Sequence, residues 1–399
     1  MNDWVSQETL LTEGYRHCAK LTWNYGTTYF WGAALLPKPQ RKHVYAVYAL
    51  CRLADDIVDL PTDQYTSPPE PNQMRAGSVT GLESGTSTSS ARISGDSGAS
   101  TSSARILDES GASTSSAHIA DASRALTGSA DIRAEPDSTL PEPNLIEPAE
   151  DRDAAVSARF KEFADQFRSS LDAGSSTDPV MAAVINTVTT CGIDSECFER
   201  FFNAMAMDLT TTSYQTWEDL RDYMEGSAAV IGEMMLPVLQ PTNMAAKAPA
   251  RSLGLAFQLT NFLRDVAEDL DRGRVYMPQD DLRLFDVDLE RREATPQWRA
   301  FMAYEIQRNR ALYSFADTGI AMLPARSARC VGTARVLYAQ ILDQIERKGY
   351  DVFSGRARVP TWRKAATAAR IMVTGPRTLK KQAEAYQRRS MADVTQDPY

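Results

Sequence analysis

The sequence predicts an all-α protein, and three observations carry that prediction. Apolar residues recur at three- and four-residue spacings through most of the chain, the period of a helix with one buried face. No segment alternates apolar and polar residues as a half-buried strand would, and no Asn-Gly pair joins two such runs. The punctuation between periodic segments is that of helix ends: Asp178-Pro179 and Thr216 before Trp217-Glu218-Asp219 read as starts, and Lys348-Gly349 as a stop.

In chain order, 41–60 places Val44, Val47, Tyr48, Cys51 and Val58 at helical spacings, and 159–171, 180–190 and 197–209 follow the same period. The segments 217–239, 248–270, 299–322 and 328–347 continue it. Residues 62–150 break the pattern. There Ser84-Gly85-Thr86-Ser87-Thr88-Ser89-Ser90-Ala91-Arg92-Ile93 recurs in degenerate form from Ser97 and from Ser110, with a period of 13 residues. Such Ser- and Gly-rich sequence buries too little apolar surface to offset its ordering entropy. The expected organisation is therefore one helical domain made of 1–61 and 151–375, a disordered insertion over 62–150, and a polar tail over 376–399.

Composition narrows the function. A hydrophobic fraction of 43% with 24% charged residues is globular, and a net charge of −9 excludes a nucleic-acid partner, which needs a basic face. The five cysteines, Cys18, Cys51, Cys191, Cys197 and Cys330, are scattered with no CxxC pair, so they read as buried thiols in a reducing compartment. Three histidines, one of them in the repeat, are too few for a His-based metal site. No signal peptide is read at Met1-Asn2-Asp3-Trp4, and no apolar run reaches spanning length, so a cytoplasmic protein is expected.

Two acidic segments hold the chemistry. In Asp55-Asp56-Ile57-Val58-Asp59 and in Asp265-Val266-Ala267-Glu268-Asp269, two aspartates stand four residues apart and share one helix face. Like charges so placed destabilise a helix by roughly 0.2–0.5 kcal/mol, so their repetition points to bound cations. Carboxylates without His or Cys partners suit Mg²⁺, which completes its shell with substrate phosphates. On 253–270, Gln258, Asn261, Asp265, Glu268 and Asp269 form a polar stripe on a broadly apolar helix. That stripe faces either bulk water or a filled cavity. Arg274 and Tyr276 follow in a Gly-containing basic turn, where Arg274 either forks onto phosphate or is simply exposed. Arg52 lies beside Asp55 on the helix, as a phosphate ligand or as an ordinary surface pair. The small residues of Tyr223-Met224-Glu225-Gly226-Ser227-Ala228-Ala229-Val230-Ile231-Gly232 permit close helix packing or leave a channel for a long apolar substrate. Aromatic faces of Tyr29, Phe30, Trp31, Tyr45 and Tyr48 belong to the core or line that cavity, where their quadrupoles would stabilise a carbocation.

Taken together, these motifs resemble the squalene/phytoene synthases, head-to-head condensing prenyltransferases, and most resemble a bacterial phytoene synthase. The likeness rests on Leu253-Gly254 through Gln258, Asn261-Phe262, Arg264-Asp265-Val266, Asp269, Arg274, Tyr276 and Pro278, and on Tyr223 to Val238. It rests also on Leu35-Leu36-Pro37 through Arg52, Asp55, Asp56 and Asp59, and on Tyr350-Asp351-Val352-Phe353 through Arg363-Lys364. The resemblance implies an isoprenoid-synthase fold around a central apolar cavity. It implies that Asp55, Asp59, Asp265 and Asp269 hold Mg²⁺, or Mn²⁺ in its place, bridging two prenyl diphosphates. By the same resemblance Arg52, Gln258, Asn261, Arg264, Arg274 and Tyr276 surround the diphosphates, Tyr223 is a cavity tyrosine, and Thr28 and Tyr29 flank the donor site.

The implied reaction joins two geranylgeranyl diphosphates through a cyclopropyl diphosphate to phytoene, in carotenoid biosynthesis, without NADPH. The alternative is a squalene, dehydrosqualene or presqualene diphosphate synthase acting on farnesyl diphosphate. A noncatalytic relative would be expected to lose metal aspartates, and all four stand here. A cyclase would carry an Asn-Ser/Thr-Glu second motif, which is not found. Lipid substrates and product make peripheral membrane contact an expectation. The insertion departs from the family's short connection after Asp59, but closure entropy grows slowly enough with loop length to allow it.

Overall fold

Helices form where the apolar period runs and end where the caps stand. In the computed structural model, which describes residues 2–59 and 149–375, α1 (Asn2–Tyr25) and α2 (Thr27–Ala33) precede α3 (Lys38–Asp59), which carries the first acidic pair. After the residues outside the description come α4 (Ala149–Ala173), α5 (Pro179–Cys191) and α6 (Ser195–Met207). Asp178 caps α5, accepting a hydrogen bond from the Met181 amide, with Pro179 in the first turn where its missing N–H costs nothing. Next, α7 (Trp217–Met224) opens with a complete capping box, Thr216 and Asp219 each accepting from the other's backbone amide.

The sequence reads 217–239 as one helix, whereas the structure interrupts it with a π-turn over Glu225–Ala229 before α8 (Val230–Leu239). The extra residue swings Ser227, Ala228, Ile231 and Gly232 onto the cavity wall, and π-bulges recur at functional sites for this reason. The chain continues with α9 (Lys247–Asp271), α10 (Gln279–Leu284), α11 (Pro296–Ile320), α12 (Ala325–Arg347) and α13 (Thr361–Thr374). Gly349, at φ 65°, ends the reach of α12 as its place in the sequence predicts. Among the described residues the nearest approach to a strand is one isolated bridge, Ser213 to Val275.

The periodicity alone does not mark α1, α2, α10 or α13. Of these, α2 and α10 are too short to display a period, and α13 is apolar on two faces. The insertion and the C-terminal tail lie outside the described residues, except that α4 starts at Ala149, two residues before the expected domain boundary. All five cysteines are free thiols; Cys191 is partly exposed and the other four are buried.

Two apolar cores form. One gathers side chains of α3, α4, α5, α6 and α8, including Val47, Leu50, Phe198 and Phe201. The other gathers α7, α9, α11 and α12, including Leu259, Leu263, Phe301 and Leu342. Helix α9 is packed on several sides, against α11, α8 and α12. It approaches α8 and the π-turn closely because the contact residues are small. A Cβ at Gly254 would stand 2.2 Å from the Ala228 carbonyl oxygen, and one at Gly232 2.3 Å from that of Ala250. The small-residue run thus serves both ends weighed for it, close packing and cavity wall. No described helix is long and apolar enough to cross a membrane.

Candidate active site

Between the two cores lies a cavity of about 1010 Å³, large for a ligand site. All thirteen residues singled out from the sequence line it: Thr28, Tyr29, Arg52, Asp55, Asp59, Tyr223, Gln258, Asn261, Arg264, Asp265, Asp269, Arg274 and Tyr276. The polar stripe of α9 therefore faces this cavity. Away from it the wall turns apolar, with Met235, Leu239, Ile320, Leu323 and Val331. Of the five aromatics named beside the first acidic segment, Tyr29 and Tyr48 reach the cavity, with ring centroids 5.5 Å apart. Phe30 and Tyr45 stack on each other instead, at 5.6 Å. Tyr29 also meets Tyr338 at 5.5 Å, and Tyr338 stacks on Phe257 at 4.3 Å, so an aromatic cluster forms in the wall.

Asp269 stands in the last turn of α9, which ends at Asp271, and Asp265 one turn before it. At that end the helix macrodipole is negative and opposes the Asp269 charge by about 0.3–1 kcal/mol. Like-charge spacing and helix end thus add their penalties at one place. Burial compounds them: it pushes the Asp55 carboxyl up to about 8, with Asp59 adding to the effect. Burial likewise pushes Asp269 up to about 7, with Asp265 adding. Carboxylates so placed need positive charge to stay ionised.

Arginines supply part of it. Arg274 reaches Asp59 at 2.8 Å and Arg272 reaches it at 3.1 Å. Arg264 and Arg356 both bind Asp265, at 2.5 and 2.6 Å, and Arg356 also stands 3.4 Å from Glu268. Arg274 is therefore no free surface residue, since its partner is an aspartate of the opposite helix. The expected Arg52–Asp55 neighbourhood needs correction, because Arg52 pairs with Asp56. Position i+4 lies about 40° from Arg52 around the helix and i+3 about 60°. The guanidinium also rests on the Tyr25 ring, 4.6 Å from its centroid. That leaves Asp55 directed to the cavity. Among the described residues no three acidic, His or Cys side chains converge on one point. The donors the site offers a metal are the two carboxylate pairs, a set suited to a hard cation that takes its remaining oxygens from water or phosphate.

The sequence reading missed Asp208, which lines the same cavity. It accepts hydrogen bonds from the Tyr223 hydroxyl at 2.5 Å and the Tyr276 hydroxyl at 3.3 Å. Burial pushes its carboxyl up to about 6, and the Tyr223 hydrogen bond restrains the rise. Tyr223, Phe262 and Tyr276 form a stack, with Phe262 and Tyr276 centroids 4.0 Å apart. Asp208 ties two members of that stack together at their polar tips. The periodicity places it inside 197–209, but it follows the last turn of α6, again a helix end where an acid is unfavourable. That misplacement is the signal that could have revealed it. Arg356 and Lys364 also join the wall, from the segment that carried the C-terminal motif.

Comparison with known proteins agrees with this architecture. The squalene/phytoene synthase family pattern matches residues 23–83 and 131–363. A phytoene synthase of Arthrospira platensis is 40% identical over 211 residues, covering 49% of this chain and 68% of its own length. The 15-cis-phytoene synthase of Synechococcus elongatus is 28% identical over 369 residues, 89% of this chain and 91% of that one. Among solved structures, a dehydrosqualene synthase in complex with ligand superposes with a TM-score of 0.64 at 19% identity, covering 92% of this chain and 97% of its own. The squalene synthase HpnC from Alicyclobacillus acidocaldarius gives 0.57 at 23% identity, covering 86% and 96%. These two likenesses show the fold, the isoprenoid-synthase helical fold. The chain belongs to the squalene/phytoene synthase family.

Proposed function

We propose that this chain is a phytoene synthase: it condenses two geranylgeranyl diphosphates head to head, through a cyclopropyl diphosphate, to phytoene. The observation that carries the reading is one cavity shared by the two acidic helix segments at its polar side, with an apolar, ring-lined remainder. The full-length likeness to a 15-cis-phytoene synthase supports the choice of product.

Asp55, Asp59, Asp265 and Asp269 would hold Mg²⁺, and the misfit of Asp55 and Asp269 as buried carboxylates is what such ions relieve. When bound, Mg²⁺ supplies Lewis-acid neutralisation of the charge developing on departing diphosphate. Arg264, Arg274 and Arg356 can fork onto phosphate oxygens, and Gln258 and Asn261 line the wall beside them. The C1–O bond of one substrate breaks as its diphosphate leaves, and the double bond of the second attacks the allylic cation. Loss of a proton closes the cyclopropane. Departure of the second diphosphate rearranges the ring, and a second proton loss leaves the central triene. No electrons are gained, so the reaction consumes no NADPH. Tyr29, Tyr48, Phe257 and Tyr338 line the cavity, where their rings would stabilise cations, and the apolar wall keeps water from quenching them.

Incubation of the protein with geranylgeranyl diphosphate and Mg²⁺, followed by product identification, tests this. Phytoene is expected. Squalene or dehydrosqualene from farnesyl diphosphate, with no turnover of the C20 substrate, would overturn the chain-length assignment. Undiminished turnover in the presence of excess chelator would overturn the metal assignment.

A further inference from the structure

Helix α13 is apolar on two opposite faces, and among the described residues only one of them is covered. Its inner face packs Thr367, Ala368 and Ile371 against the molecule. At 100° per residue, Trp362, Ala366, Ala369 and Val373 fall within about 60° of one another on the outer side. Trp362 is 67% exposed, Val373 82% and the flanking Met372 56%. An exposed apolar strip edged by charged residues marks an interaction surface, so this outer face calls for a partner. Its charge says which kind. Arg356, Arg358, Arg363, Lys364 and Arg370 lie between Ser354 and Thr374 with no acidic residue among them, in a chain whose net charge is −9. Arg363 and Arg370 border the apolar strip on one side.

We propose that the outer face of α13 docks on an anionic lipid surface, with Trp362, Val373 and Met372 entering the interface and Arg363 and Arg370 meeting lipid phosphates. An exposed Trp beside aliphatic residues, edged by arginines, is the pattern of an interfacial helix. The position is apt, because Thr361 and Lys364 of the same helix, with Arg356 and Arg358 just before it, line the cavity. Docking there brings the cavity wall to the layer in which long-chain prenyl compounds dissolve. Charge disfavours the other occupants. Residues 376–399 carry more basic than acidic side chains and do not complement the arginines. A second copy meeting this face symmetrically would set arginines against arginines. The surface does not depend on which prenyl diphosphate the cavity takes, and its test needs no turnover.

The full chain is floated with vesicles of phosphatidylcholine alone and of phosphatidylcholine mixed with phosphatidylglycerol. Binding to the mixed vesicles is expected, weakening with added salt. Replacing Trp362→Ser and Val373→Ser together should lower the partition coefficient at least about tenfold. Arg363→Gln with Arg370→Gln should abolish the preference for the anionic vesicles. Val373→Asp alone, at the most exposed of these positions, serves if the double variant misfolds. Wild-type binding by the serine or aspartate variants, with unchanged thermal unfolding, overturns the proposal. A full chain indifferent to both vesicles overturns it too, leaving the face to the chain's own tail. A dimer in solution that the serine variant dissociates, with vesicle binding intact, would assign the face to a second copy.

Discussion

Asp208 offers the sharpest test of the site because its two tyrosine partners meet it only in the folded structure. Its two oxygens accept from two different tyrosines, Tyr223 and Tyr276. Asp208→Asn keeps the shape but offers one oxygen and one NH₂ group, so one hydroxyl must lose its acceptor or turn away. Losing a hydrogen bond to a charged group, with a buried polar group left unpaired, costs about 1–3 kcal/mol. Tyr223 is 1% exposed and cannot turn to water. If the tyrosine stack shapes the cavity around the reacting carbons, about 2 kcal/mol of that appears in turnover, roughly a thirtyfold fall in kcat. Asp208→Asn, Tyr223→Phe and the double variant, assayed for kcat and KM, form a cycle. Neighbours sharing one hydrogen bond should show a coupling of about 1–2 kcal/mol. Effects that add within about 0.5 kcal/mol, or an Asp208→Asn enzyme with wild-type kcat, would refute the claim that Asp208 positions the tyrosines.

Three further outcomes are expected. Asp265→Asn, which removes charge from the group that Arg264 and Arg356 both bind, should lower turnover by orders of magnitude with the fold intact; near-normal product formation at saturating Mg²⁺ would count against a metal-bridging role. Gly254→Ala sets a methyl 2.2 Å from the Ala228 carbonyl oxygen, and despite a helix-propensity gain of about 1 kcal/mol it should destabilise by about 1–3 kcal/mol in urea unfolding; equal stability would mean α9 and the π-turn stand farther apart. His43 is buried, hydrogen-bonded to Thr187 at 2.9 Å, and burial pulls its pKa from 6.5 down to about 4. Its folded-state value lies below the unfolded one, so the stability tied to the neutral ring is present above pH 6.5 and is lost as pH falls toward 4. Between those limits the slope approaches about 1.4 kcal/mol per pH unit. His43→Asn should remove that slope, and a wild-type-minus-variant difference that stays constant between pH 7 and pH 5 would contradict it.

The sequence by itself determined the helical class, many helix boundaries and the two acidic segments that border the cavity. Each of these is written in local spacing. The 3.6-residue period, the Asp178 and Thr216 caps and the two four-residue aspartate spacings need no distant partner to be read. Caps and periods report on a helix's own backbone and face, which short-range physics governs.

Tertiary structure decided how those residues pair. Arg274 and Asp59, or Arg356 and Asp265, are far apart in the chain and meet only because α3, α9 and the segment before α13 border one cavity. The interruption of 217–239 by a π-turn is likewise invisible to a pattern that a one-residue shift barely changes. Asp208 was missed because its significance lies in two tyrosines that long-range packing brings to it. Local spacing specifies which face of a helix is polar; only the packing of other helices around that face makes it the wall of a cavity, and burial then supplies the charge imbalance on which the chemistry depends.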